Sequence, residues 1–104
     1  MAKLEDLKKI ERFESLSRND INKARLVSKY AQEYCLMVDR SDIKPGELLP
    51  YLVKKGVYNQ VDQRNGSYLR ELLRKLDDAG QLDLIPQVTV ERKKKNRYWF
   101  FRAV

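Results

Sequence analysis

GSYLRELLRKLDDAGQLDLIPQVTVERKKKNRYWFF, residues 66–101, decides what this chain can build, because the spacing of its apolar residues changes once, at Gly80. Before that glycine, Leu69, Leu72, Leu73 and Leu76 fall at i, i+3, i+4 and i+7, the pattern of a helix with one face against a core. Asn65 or Ser67 is placed to cap its start, and Gly80 to stop it. After it the spacing becomes two: Leu82 and Leu84, then past Ile85 and Pro86, Val88 and Val90, with Tyr98 alternating with Phe100 and Trp99 with Phe101. Two strands are expected. Pro86 has no amide hydrogen for a ladder, so it should sit at a bend or an edge position early in the first strand. Residues 92–96, Arg-Lys-Lys-Lys-Asn, suit the tip of an antiparallel hairpin, with Asn96 able to take left-handed backbone geometry.

Working outward from this stretch, Pro45 and Gly46 suit a helix start, Leu48, Leu49, Leu52 and Val53 give it an apolar face, and Gly56 ends it. Pro50 would break a helix interior, so it is expected within or close to the first turn of a short helix. Earlier still, Ile21, Ala24, Val27, Ala31, Tyr34, Cys35 and Val38 keep helical spacing behind Ser17 and Asp20, whose side-chain oxygens can cap uncapped amides. This helix should end near Val38. Leu4, Leu7, Ile10, Phe13 and Leu16 recur every three residues, a period that drifts around a helix, and an additional N-terminal helix is expected there. The order is helix, helix, helix, helix, strand, strand: an α+β chain, mainly helical, of one-domain length at 104 residues.

Composition removes several classes of function. There is no histidine, and Cys35 is the single cysteine, so an internal disulfide, the usual zinc sites and histidine-based nucleophile arrangements are excluded. Gly-rich phosphate loops are also missing. We expect a protein that is not an enzyme, uses no cofactor and no metal, and has no evident small-molecule ligand. No apolar run approaches the roughly 20 residues that span a bilayer, and the opening MAKLEDLKKIERFE carries acids that targeting peptides lack. A soluble protein without a membrane partner is expected, cytoplasmic or nucleoid-associated, or nuclear in a eukaryote.

The formal net charge is +7, and its location matters more than its size. Residues 1–20 and 64–87 are balanced and residues 21–63 carry a surplus of two, whereas residues 88–104 hold six basic groups and one acid. Five of the seven surplus charges thus lie in residues 88–104, a localised cationic feature of the kind that attracts polyanions.

Three helices leading into a hairpin with a basic tip resemble the winged-helix variant of the helix-turn-helix superfamily of DNA-binding domains. The residues that carry the likeness are GSYLRELLRKLDDAGQLDLIP and VTVERKKKNRYWFF. It spans residues 18–104, leaving residues 1–17 as an N-terminal helical extension. Residues 56–64 exceed the 3 to 4 residue turn of a simple helix-turn-helix, and a short strand around Val57 and Tyr58 would fit there. The resemblance implies a double-stranded DNA partner, a role in transcription regulation, the leucine-striped helix in the major groove and the hairpin along phosphates. With the leucines inward, Arg64, Ser67, Glu71, Arg74 and Asp78 point outward, flanked by Tyr68, Arg70 and Lys75. The DNA-binding candidates are Arg64, Asn65, Ser67, Tyr68 and Arg70 toward base edges, joined by Arg74, Lys75, Arg92, Lys93, Lys94, Lys95 and Arg97.

Each feature also has a plainer reading. The striped helix can be an ordinary core helix with a solvated outer face, on which Glu71 and Lys75 attract at i, i+4. Cations at a hairpin tip also discourage edge-to-edge aggregation. Of the aromatic pairs, Tyr98 with Phe100 and Trp99 with Phe101, only one can meet the core. The other needs a cover, from the N-terminal helix or from a second copy of the chain, since the drifting stripe also suits a homodimer contact. Left open beside cations, such aromatics would bind RNA or single strands by stacking. A third class is a protein-interaction module built on the same fold.

Overall fold

The computed structural model describes residues 16–59 and 66–104. Three helices are followed by a two-stranded antiparallel hairpin: α1 is Arg18–Val38, α2 is Pro45–Lys54, α3 is Ser67–Asp78, β1 is Val88–Arg92 and β2 is Arg97–Phe101. The domain is α+β and mainly helical. No helix among the described residues is long and apolar enough to cross a membrane. The expected N-terminal helix over Leu4, Leu7, Ile10 and Phe13 lies outside the described residues. Leu16, at its far end, is buried.

α1 begins where the sequence offers oxygens to its first amides. Ser17 Oγ accepts from the Asp20 amide at 3.1 Å while Asp20 Oδ2 accepts from the Ser17 amide at 3.2 Å, a reciprocal capping box. Its inward stripe, Ala24, Val27, Ala31 and Cys35, is buried. The helix closes at Asp39, which takes left-handed geometry at φ 55°, a conformation that aspartate tolerates better than most residues.

α2 has Pro45 at its first position, where a missing amide costs nothing, and buries Leu48, Leu49 and Leu52. Pro50 does not lie near the first turn as expected; it is inside the helix, in the second turn. Exposure explains the tolerance: Pro50 and Gly46, four residues earlier, both face solvent, so water can serve the Gly46 carbonyl. At the far end the Gly56 amide donates to Val53 O at 3.0 Å and the Val57 amide to Leu52 O at 2.9 Å, a Schellman closure. This occupies Val57. The short strand expected around Val57 and Tyr58 is accordingly absent; both residues form a bend with buried side chains.

α3 places all four stripe leucines, Leu69, Leu72, Leu73 and Leu76, in the core, each contributing roughly 1.5–3 kcal/mol by burial. Ser67 does not cap it, and Asn65 lies outside the described residues. Gly66 is the N-cap residue, at φ 77° and with no side-chain cap, and Ser67 is the first helical residue. A Cβ on Gly66 would lie 2.8 Å from Gly46 N and 2.9 Å from the Pro45 carbonyl carbon. Only glycine lets the start of α3 back so closely onto the start of α2. In a simple helix-turn-helix the turn would join the end of one helix to the start of the next; here the longer connection brings α3 back beside the beginning of α2. At its other end Gly80, φ 69°, forms a second Schellman closure: its amide donates to Asp77 O at 3.1 Å and the Gln81 amide to Leu76 O at 2.7 Å.

The expected first strand starts later than its alternation implies. Leu82–Leu84 is a turn of 3₁₀ helix, with the Leu84 amide donating to Gln81 O and the Ile85 amide to Leu82 O. Leu82 and Leu84 lie about 120° apart around such a turn, and both are half-buried against the core. Pro86 is exposed in the turn before β1 and not within the strand. The hairpin register runs from Val88 opposite Phe101 to Arg92 opposite Arg97, so the loop is residues 93–96, closed by the Lys93 amide on Asn96 O at 2.9 Å. Asn96 is not left-handed; Asp39 is the sole non-glycine residue with positive φ among those described. Trp99 and Phe101 face the core, at 3% and 0% exposure.

One pairing ties the hairpin to the helices. Ile43 exchanges both backbone hydrogen bonds with Phe101, at 3.1 and 2.7 Å, on the edge of β2 away from β1. Its side chain is fully buried. A chain of amides then fixes the tail: Ser28 Oγ donates to buried Gln87 at 2.6 Å, and Gln32 both donates to Val104 O and accepts from the Val104 amide, each at 2.8 Å.

Candidate nucleic-acid interface

Two elements bring cations together. The flank of α3 supplies Arg70 and Arg74, one turn apart, and the returning arm of the hairpin supplies Lys95, Asn96, Arg97 and Tyr98; these six residues line one furrow between helix and hairpin. Arg74, Lys94 and Lys95 are exposed and make no ion pair among the described residues. Their charge faces solvent.

The remaining hairpin cations have partners within the fold. Arg92 donates from Nη1 to Asp77 Oδ2 at 2.9 Å and from Nη2 to Asp77 Oδ1 at 2.7 Å. Arg97 Nη1 donates to Asp77 Oδ2 at 2.8 Å and to Asp78 Oδ1 at 2.9 Å. The Asp77 side chain is only 11% exposed, and the hydrogen bonds from Arg92, then those from Arg97, hold its carboxyl below the usual range against the opposing effect of burial. The same contacts push both guanidinium groups further up. Lys93 pairs with Glu91 at 2.9 Å, which raises the lysine. Arg92 and Arg97 thus bolt the hairpin to the last turn of α3 and set its angle, while Lys94 and Lys95 are carried outward at the tip.

The helix candidates divide between two sides. Arg70 and Arg74 face the hairpin, whereas Tyr68 and Lys75 line a separate cleft with Asp20, Lys23, Tyr58 and Glu71, where Lys75 reaches Asp20 at 3.8 Å. Ser67 is half-buried at the crowded start of α3. Arg64 and Asn65 lie outside the described residues. Of the aromatic faces, Tyr98 is 47% exposed and Phe100 half-buried, so the face opposite the core presents two rings. Its expected cover, the N-terminal helix, also lies outside the described residues.

Sequence reasoning missed Lys44. It is exposed at the start of α2 and lines a cavity of about 410 Å³ that continues the furrow past Arg70, Arg97 and Tyr98 to Trp99 and Phe100. Its position depends on the Ile43–Phe101 bridge, which no local pattern announces. Away from this surface, Tyr51 donates to Glu33, and Lys55 sits 3.4 Å from the same carboxylate and over the rings of Tyr30 and Tyr51. Cys35 is 1% exposed and burial pushes its thiol up, which keeps it protonated.

No protein-family model matches this chain, and neither the curated proteins nor the solved structures contain a match to it.

Proposed function

We propose that the chain is a winged-helix domain that binds double-stranded DNA without catalysing a reaction, as a regulator of transcription would. The observation that carries this reading is the shared furrow of Arg70 and Arg74 with Lys95, Asn96 and Arg97. A helix flank and a hairpin tip that present cations to one channel match the run of phosphates along one strand of a duplex. Arg70, Arg74, Lys94 and Lys95 are the phosphate contacts, with Arg92 and Arg97 holding the hairpin in place. Four phosphate contacts would give a salt dependence of log affinity of roughly −3 to −4 against log salt. Base edges would be read by Ser67 at the start of α3 together with the sequence candidates Arg64, Asn65 and Tyr68.

Selection of bound sequences from a random duplex pool, with affinity measured at two salt concentrations, tests the proposal. A steep salt slope with enriched sequences supports it; absence of duplex binding at low salt removes it. A second reading, a protein-docking module, draws on Leu36 and Met37, which are 63% and 62% exposed side by side on α1. It would be preferred if duplex binding were absent and Met37→Lys abolished a partner's binding to the intact protein.

A further inference from the structure

The cavity at the inner end of the furrow differs from the furrow itself in what lines it. Lys44, Pro45, Arg70, Tyr98 and Phe100 help to line about 410 Å³, so the rings on the face of β2 away from the core, Tyr98 exposed and Phe100 half-buried, stand beside cations. Phosphate alone has no use for the rings, and an uncharged apolar ligand has none for the cations. A planar base carrying a phosphate uses both, by stacking on aromatic faces and pairing its anion with lysine or arginine.

The acid beside this cavity does not oppose such a ligand. Glu47 also lines it, but its carboxylate is held by Arg40, at 2.8 and 3.3 Å. Lys44 makes no ion pair among the described residues and lies at the cavity's edge. Tyr98 and Arg97 belong to the cavity and to the cationic furrow alike. A strand whose phosphates follow the furrow from Lys95 would therefore arrive at the cavity with its next nucleotide.

We propose that this cavity takes one unstacked nucleotide, the aromatic base against Tyr98 and Phe100 and the phosphate at Lys44 and Arg70. Where that nucleotide belongs to a bound strand, the preferred ligand is a duplex with an unpaired end. This rests on the nucleic-acid reading of the furrow; the pocket chemistry applies equally to a free mononucleotide.

Trp99 is the one tryptophan of the chain and sits at 3% exposure between Tyr98 and Phe100 on the strand that lines the cavity, so its emission reports occupancy through that strand. The intact protein would be titrated with a blunt duplex, the same duplex carrying a short single-stranded overhang, and adenosine monophosphate, following both affinity and Trp99 emission. We expect the overhang duplex to bind about tenfold more tightly than the blunt one and to quench Trp99, with Tyr98→Ala and Lys44→Gln each removing that preference. Saturable quenching by the mononucleotide without any overhang preference would support the pocket and assign it to free nucleotides. Equal affinity for both duplexes with unchanged Trp99 emission overturns the inference and leaves the DNA-binding reading intact. Quenching by the mononucleotide with no duplex binding of either kind does the reverse.

Discussion

Arg92 lays both of its terminal nitrogens against the two carboxylate oxygens of Asp77, at 2.7 and 2.9 Å, across fifteen residues of sequence. Arg97, the residue paired with Arg92 next to the hairpin loop, reaches the same carboxylate. A fork of this kind fixes direction as well as distance. It makes the angle between α3 and the hairpin a property of three side chains.

Removing the acid should loosen that angle. Asp77→Ala leaves two arginines that can turn to solvent, so we expect a loss of about 1–2 kcal/mol, measured by urea unfolding, and not the larger cost of a stranded buried charge. The furrow should widen with it. Duplex affinity is expected to fall in Asp77→Ala although a negative charge has been removed; a rise in affinity would show that Arg92 and Arg97 bind phosphate better when released.

The same carboxylate sets a pH dependence. Asp77 is held below its unfolded value of roughly 3.9, so its contribution is present in full above that value and is lost as pH falls through the depressed folded value. Thermal unfolding followed from neutral pH down into this range should show a steeper acid loss in the native protein than in Asp77→Asn. Equal slopes would mean that Asp77 gives the fold no pH-dependent support.

The tip lysines should not be equivalent. Lys93 is engaged by Glu91 whereas Lys95 lines the furrow. Lys95→Ala should reduce the salt slope of duplex binding by roughly 0.9, the share of one phosphate contact, with Lys93→Ala closer to the native protein. Reversing Lys93, Lys94 and Lys95 together to glutamate should abolish binding at moderate salt; unchanged affinity would take the hairpin out of the mechanism.

Two glycines offer a matched comparison. Gly66 and Gly80 both have positive φ, but a Cβ meets backbone atoms within 3.0 Å only at Gly66 and finds nothing within 4 Å at Gly80. Gly80→Ala should cost about 1–2 kcal/mol for its left-handed backbone alone. Gly66→Ala should cost clearly more by urea unfolding, because α3 must also move off Pro45 and Gly46. Equal costs would show that the two helix starts are not held together.

The leucine stripe of α3, the capping box at Ser17 and Asp20 and the alternation of Trp99 with Phe101 were legible in the sequence because each is a local pattern with one period. Leu82 and Leu84 were misleading because two leucines are too few to show a period, and the choice of a 3₁₀ turn falls to the amides of Leu84 and Ile85, which donate to Gln81 O and Leu82 O. Ile43 gave no periodic signal, being a single apolar residue in the polar stretch 39–44, yet its partner Phe101 lies at the other end of the fold. The candidate site divides similarly. Counting cations located the hairpin, but that count could not separate Lys95, which makes no ion pair among the described residues, from Arg92 and Arg97, whose acids come from a helix 15 to 20 residues earlier.

Gln32 grips the backbone of Val104 by its hydrogen and its oxygen and leaves the side chain 66% exposed. Such a clasp is blind to residue identity. Nineteen amino acids can occupy that position without disturbing it, and the twentieth, proline, cannot, for want of the hydrogen that the clasp holds.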